Sequence, residues 1–242
     1  MITVIKRLSF YTFLMLLIPF ITWAINWRWI DDQILHADVD HFLYWLTETG
    51  SVPYAAITCV ILTLWLIALT RRHYSWILIG TLCVISMFGT QLIKTAAKNV
   101  FAEPRPYVQQ MMGDKVQAFY QLERSERAMI VQQYYQQSKY PLIIKHRMHE
   151  TGYSFPSGHT IFSVSWLLLF SGLLFGIKNR FASVSQIFIV VWSALMLISR
   201  LRLGMHFPID LLASTLIAWL FHLMLFIWLL PYFKKWRLFT NN

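Results

Sequence analysis

The chain has 242 residues, of which 57% are hydrophobic, 17% aromatic and only 13% charged. An ordinary soluble domain carries about 25% charged residues, so this composition excludes one and indicates a membrane protein. The formal net charge of +10 is no argument for a nucleic-acid partner either, because its distribution along the chain is a topology signal.

A membrane helix needs about 20 apolar residues, and the first uncharged run is Leu8 to Trp27. Lys6 and Arg7 precede it as in a secretory signal. The run nevertheless exceeds a signal core of about 7 to 15 residues, and TWAINW offers no small-x-small cleavage site, so a retained helix is expected. The following segment, Arg28 to Gly50, is acidic and partly amphipathic. Its Asp31, Asp32, Asp38, Asp40, His36 and His41 read as a solvated interfacial helix rather than as a cation site. Further runs are Ser51 to Thr70, Tyr74 to Ile93, Thr160 to Ile177, Phe181 to Ser199 and Leu211 to Phe233. The connections RRH at 71–73 and KNR at 178–180 are short enough to make the helices they join antiparallel neighbours. Between the third and fourth runs, Asn99 to Phe155 is polar, and around AFYQLERSERAMIVQQYYQQSKY its apolar residues recur at helical spacing. One or two amphipathic helices over the membrane surface are expected there. Cys59 and Cys83 each fall inside a run and read as packing residues, with no disulfide or redox role.

The expected fold is therefore all-α: a polytopic membrane protein of six transmembrane helices with a helical periplasmic cap between helices three and four. Residues 1–242 form a single membrane domain, with 99–155 as the cap segment. Lys6, Arg7, Arg71, Arg72, Lys178, Arg180, Lys234, Lys235 and Arg237 lie on one side of this topology, and all eleven acidic residues on the other. Lys and Arg accumulate on the cytoplasmic side, so both termini are expected in the cytoplasm and the long loops outside.

Ionisable residues at the ends of spans are functional candidates because charge near lipid is costly. They fall into three clusters on the outer face: Lys98 and Arg105 in KNVFAEPRP, Ser157, Gly158 and His159 in FPSGHT, and Arg200, His206 and Asp210 in SRLRLGMHFPID. Three cations at one place repel a metal ion but suit a phosphate dianion, which Arg can grip with two donors. Ser157 and the Gly158 N–H stand at a helix start, where anions bind. A neutral imidazole can attack phosphorus when a carboxylate orients its other nitrogen. His206 and Asp210, four apart, can meet across one helical turn, and His159 can protonate the leaving oxygen.

K-x6-RP at Lys98 to Pro106, PSGH at Pro156 to His159 and SR-x5-H-x3-D at Ser199 to Asp210 together resemble the three-part signature of the type 2 phosphatidic acid phosphatase superfamily. All eight signature residues stand in family order and spacing. The resemblance implies a metal-independent membrane phosphatase without cofactor, in a bacterial inner membrane, with its site at the periplasmic face. It assigns His206 as the nucleophile that becomes phosphohistidine, Asp210 as its support and His159 as the acid. Lys98, Arg105, Ser157, Gly158 and Arg200 bind the phosphate. The implied substrates are phosphorylated membrane lipids: phosphatidylglycerol phosphate, phosphatidate, lysophosphatidate, diacylglycerol pyrophosphate and undecaprenyl pyrophosphate. No obligate protein partner is expected.

Other readings stay open at this point. A dedicated undecaprenyl pyrophosphate phosphatase or a lipid phosphotransferase would use the same residues, and a phospholipid transporter would use only the cations. A vanadium haloperoxidase is the weakest alternative. Glu150, just before the second motif, is a secondary candidate that orients a headgroup or His159, or else a helix-surface carboxylate. Arg202 reads as a surface or headgroup contact, His222 as a packed neutral histidine without evident partner, and His146 and His149 as solvated.

Overall fold

The computed structural model describes residues 2–31, 37–138 and 140–239, and the regular elements among them are all helical. In chain order these are α1 (Ile2–Ala24), α2 (Ala37–Glu48), α3 (Tyr54–Thr70), α4 (Trp76–Phe101), α5 (Pro106–Met112), α6 (Val116–Gln121), α7 (Arg124–Tyr134), α8 (Pro141–His149), α9 (Gly158–Leu173), α10 (Arg180–Arg202), α11 (Pro208–Met224) and, after a π-helical turn at Leu225–Leu229, α12 (Leu230–Phe233).

Four described helices are long and apolar enough to cross a membrane: Ile2–Ala24, Trp76–Lys98, Arg180–Arg202 and Pro208–Phe233. The other two expected spans are shorter apolar helices, Tyr54–Thr70 and Gly158–Leu173. At 1.5 Å per residue, the 16 residues of α9 rise about 24 Å, less than a hydrocarbon core of about 30 Å. The reason lies in the packing of α9. Every residue from His159 to Leu173 is buried, against α1, α3, α4, α10 and α11. A helix apolar on all sides faces lipid or protein alike, so hydropathy overstated its reach.

Around this axis α11 turns a stripe inward, Asp210, Leu211, Ser214, Thr215, Ala218 and His222, at the helical period. Two glycines let large rings approach a neighbouring backbone. A Cβ on Gly89 would lie 2.4 Å from the Phe221 ring, and one on Gly172 would lie 2.2 Å from Phe226. Small residues serve close helix packing where lipid provides no hydrophobic drive. His222 is buried as expected but does have partners: its Nε2 is 2.9 Å from Ser86 Oγ and its Nδ1 is 2.7 Å from the Ala218 carbonyl.

The segment between α4 and α9 is more helical than expected. The stretch expected to hold one or two helices holds two, α6 and α7, and α5 and α8 flank them. Pro106 and Pro141 stand at helix starts, where the missing N–H costs nothing, and Gly113 at φ +51 ends α5 in a conformation other residues avoid. Tyr107, Val108, Phe119, Val131, Tyr135 and Ile143 form a second core together with Leu203 and Met205 of the α10–α11 connection. Arg147 is buried in the same region, paired with Asp31 at 2.9 Å and lying over the rings of Trp29, Tyr107 and Tyr135.

The acidic segment before α3 is likewise not a merely solvated helix. α2 packs on α10, where Arg202 clasps Asp40 with two donors at 2.9 and 3.2 Å. Arg202, itself partly exposed, is thus a clamp on α2 rather than a mere surface contact. Asp32 and His36 lie outside the described residues.

Candidate active site

The three motifs reach one place through three local devices. α4 continues two turns past the apolar run, so Lys98 sits in its last turn. It stops at Ala102, whose φ of +42 closes a left-handed cap with its N–H on the Lys98 carbonyl. Pro104 and Pro106 then flank Arg105, and a residue before proline stays extended, which sends Arg105 back across the helix end. α9 opens with Ser157 as its N-cap, the hydroxyl accepting from the Thr160 N–H at 3.3 Å. Gly158 and His159, as the first helical residues, have no carbonyl one turn back for their N–H groups. At the third device, Asp210 Oδ2 accepts from the Phe207 N–H at 2.9 Å, half of a capping box, and lies 3.2 Å from His206 Nδ1.

Lys98, Arg105, Gly158, His159 and His206 line one cavity of about 1020 Å³. Arg200 and Asp210 stand fully buried beside it. Arg105 is held by Gly152 and Met205 carbonyls at 2.8 and 3.3 Å and by the Glu150 carboxylate. Lys98 donates to the Tyr153 carbonyl at 2.8 Å. Ser157 is committed to its helix: besides the cap, its N–H donates to Ser214 Oγ at 2.7 Å. Glu150 resolves as a cavity residue paired with Arg105, not a helix-surface carboxylate. Burial alone would raise its pKa, but Arg105, His159, Arg200 and His146 outweigh that and hold the carboxyl well below its ordinary range. His206 is shifted the other way from charge: burial first, then Arg105, Arg200 and Lys98, keep its imidazole neutral well below the usual histidine range.

Three residues here went unrecognised in the sequence. Lys94 also lines the cavity, and its position one turn before Lys98 in an apolar helix was a usable signal. Ser51, whose Oγ is 2.9 Å from His159 Nε2, had none. His146 had none either, and it is buried against Glu48 and Arg200 rather than solvated. His149 is exposed as expected. Trp45, Tyr54, Met87, Phe88 and Phe162 also line the cavity and give it apolar surface. The arrangement can hold a phosphate among cations beside a neutral imidazole, with room for an apolar substituent.

The chain is similar to phosphatidylglycerophosphatase B of Haemophilus influenzae, with 46% identity over 231 residues covering 93% of this chain and 95% of the relative. It is also similar to the proteins of that name from Escherichia coli K12 and Shigella flexneri, with 34% identity over 227 residues, covering 90% of this chain and 86% of each relative. The PAP2 superfamily model matches residues 79–234, a stretch that carries the whole charged constellation from Lys98 to Asp210, and the chain belongs to that superfamily.

Proposed function

We propose that this membrane lipid phosphatase hydrolyses phosphatidylglycerol phosphate through a phosphohistidine on His206. The substrate is the one in the name of its relatives. The observation that carries the mechanism is the buried His206–Asp210 contact of 3.2 Å at a cavity lined by Lys98 and Arg105. With Nδ1 turned to Asp210, the lone pair of Nε2 is free to attack phosphorus. As the N–P bond forms, the P–O bond to glycerol breaks and His159 gives its proton to the departing oxygen. Water then attacks phosphorus, His159 takes the water's proton, and orthophosphate leaves with His206 restored. Lys98, Arg105 and Arg200, with the Gly158 N–H and the helix start that Ser157 caps, stabilise the five-coordinate transition state. Glu150 keeps the Arg105 guanidinium oriented. No metal or cofactor takes part.

The apolar residues in the cavity lining support a substrate whose chains stay in lipid. Phosphatidate and lysophosphatidate as monoesters, and diacylglycerol pyrophosphate and undecaprenyl pyrophosphate as anhydrides, present a terminal phosphoryl group too and are further substrates. The full topology we infer has six spans, with α3 and α9 crossing as the two short helices. α5 to α8 form a periplasmic cap on a single membrane domain, and both termini lie in the cytoplasm of a bacterial inner-membrane protein. Phosphate release by purified wild type and His206→Ala, with phosphatidylglycerol phosphate and undecaprenyl pyrophosphate in excess chelator, tests the chemistry. Chelator-resistant release that vanishes in the variant is expected. Release by His206→Ala at the wild-type rate would overturn the phosphohistidine.

A further inference from the structure

One buried imidazole outside the proposed catalytic set touches one of its cations. His146 on α8 is 3% exposed. Its Nε2 lies 3.0 Å from Arg200 Nη1, and its Nδ1 lies 3.3 Å from Glu48 Oε1. A guanidinium has donors and no acceptor, so Nε2 must accept, and the ring proton then sits on Nδ1, facing Glu48. Arg200 is fully buried, and among the described residues its Nε and Nη2 have no hydrogen-bond partner. His146 is therefore the side chain that sets the plane of the guanidinium while Nε and Nη2 remain for a ligand.

We propose that His146, oriented by Glu48, is a positioning residue that aims Arg200 at the substrate phosphate, and that protonation of His146 disconnects the two. This rests on the reading of Arg200 as a phosphate ligand. The choice of histidine has a physical reason. A carboxylate in its place would neutralise Arg200, whereas a neutral acceptor fixes the guanidinium and leaves its full charge for the dianion. Once protonated, the ring has two donors and no acceptor and repels Arg200.

The groups facing His146 are Glu48 and Tyr44 from α2, Arg200 from α10, His159 from α9 and Glu150 at the end of α8. Burial, seconded by Arg200, lowers its pKa below 6.5 against the opposing pull of Glu48 and Glu150. The connection is thus intact at neutral pH and is lost as the solution turns acid.

Orthovanadate inhibition and kcat/KM for phosphatidylglycerol phosphate, measured in detergent from pH 5 to 8, test this. The set is wild type, His146→Gln, His146→Leu, Arg200→Lys, the double variant His146→Leu/Arg200→Lys, and His206→Ala. At pH 7.5 His146→Leu should weaken vanadate inhibition and lower kcat/KM by about 10-fold or more, the scale of one lost hydrogen bond to a charged group. His146→Gln, whose amide oxygen accepts from Arg200, should recover most of both and move the acid-side fall to lower pH. The double variant should be no worse than Arg200→Lys. Wild-type behaviour of His146→Leu, or multiplying losses in the double variant, would overturn the proposal. If His146→Leu does not fold, an unchanged acid limb in His146→Gln would overturn it instead. Activity retained by His206→Ala would sink the mechanism itself, whereas an inactive His206→Ala beside a fully active His146→Leu would sink only this inference.

Discussion

One carboxylate oxygen of Asp210 serves both the Phe207 N–H and His206 Nδ1, so starting α11 and holding the His206 ring are inseparable. The oxygen of an asparagine could take both bonds but carries no charge to support the imidazole, and turned the other way its NH2 would meet His206 Nδ1 as a donor and impose the wrong tautomer. Asp210→Asn should lower kcat by about 10² to 10⁴-fold, the range for a misoriented or mistautomerised histidine, with a smaller effect on KM; an unchanged kcat would remove Asp210 from the mechanism. A pH prediction also belongs to this scale. His206 and His146 resist protonation in the folded chain, so the unfolded chain takes up more protons as pH falls below about 6.5. Stability present above that value is then lost on the acid side. The melting temperature in detergent should fall between pH 7.5 and 5.5, and a flat profile would contradict the depressed histidines. The His206–Asp210 pair was legible because four residues make one helical turn. The Glu150–Arg105 and His146–Glu48 pairs were not, since no spacing rule joins residues so far apart in the chain.

α2 shows how an element outside the three motifs packs against them. Its acidic residues were legible only as charge. In the fold, Asp40, buried to 1% exposure, is clasped by Arg202, and Thr47 Oγ1 meets Ser199 Oγ at 2.7 Å. Arg202→Leu should destabilise the protein by about 1–3 kcal/mol by leaving a buried carboxylate unpaired, with the partial exposure of Arg202 favouring the lower end. A double-mutant cycle with Asp40→Asn would read the coupling as a shift in melting temperature. The turn that follows α2 carries Gly50, where a Cβ would come 2.9 Å from His159 Cδ2. Gly50→Ala should displace the imidazole and cut kcat on phosphatidate by about 10-fold, roughly 1.4 kcal/mol of barrier, while the melting temperature moves little; full activity would show that His159 tolerates the push. α9 carries the opposite lesson, because its uniform apolarity concealed that it is the enclosed axis of the bundle and shorter than the run suggested.

Over the whole molecule, the basic residues at 71–72 and 178–180 and near both termini predict one cytoplasmic face. With Cys59 and Cys83 replaced by alanine, Asn179→Cys should react with a membrane-impermeant maleimide only after the cells are opened, and Gln121→Cys in intact spheroplasts. The reverse pattern would invert the topology and put the cavity on the cytoplasmic side. The sequence by itself determined the membrane class, the apolar runs, the charge asymmetry and the three charged clusters, because each is a local property of composition or short spacing. Only the tertiary structure decided the four-helix arrangement between α4 and α9, the clamp on α2, the burial of α9 and the contacts of His146, Glu150 and Ser51 with Arg200, Arg105 and His159. Those depend on which side chains meet across many tens of residues, and packing in three dimensions, not periodicity along the chain, selects such pairs.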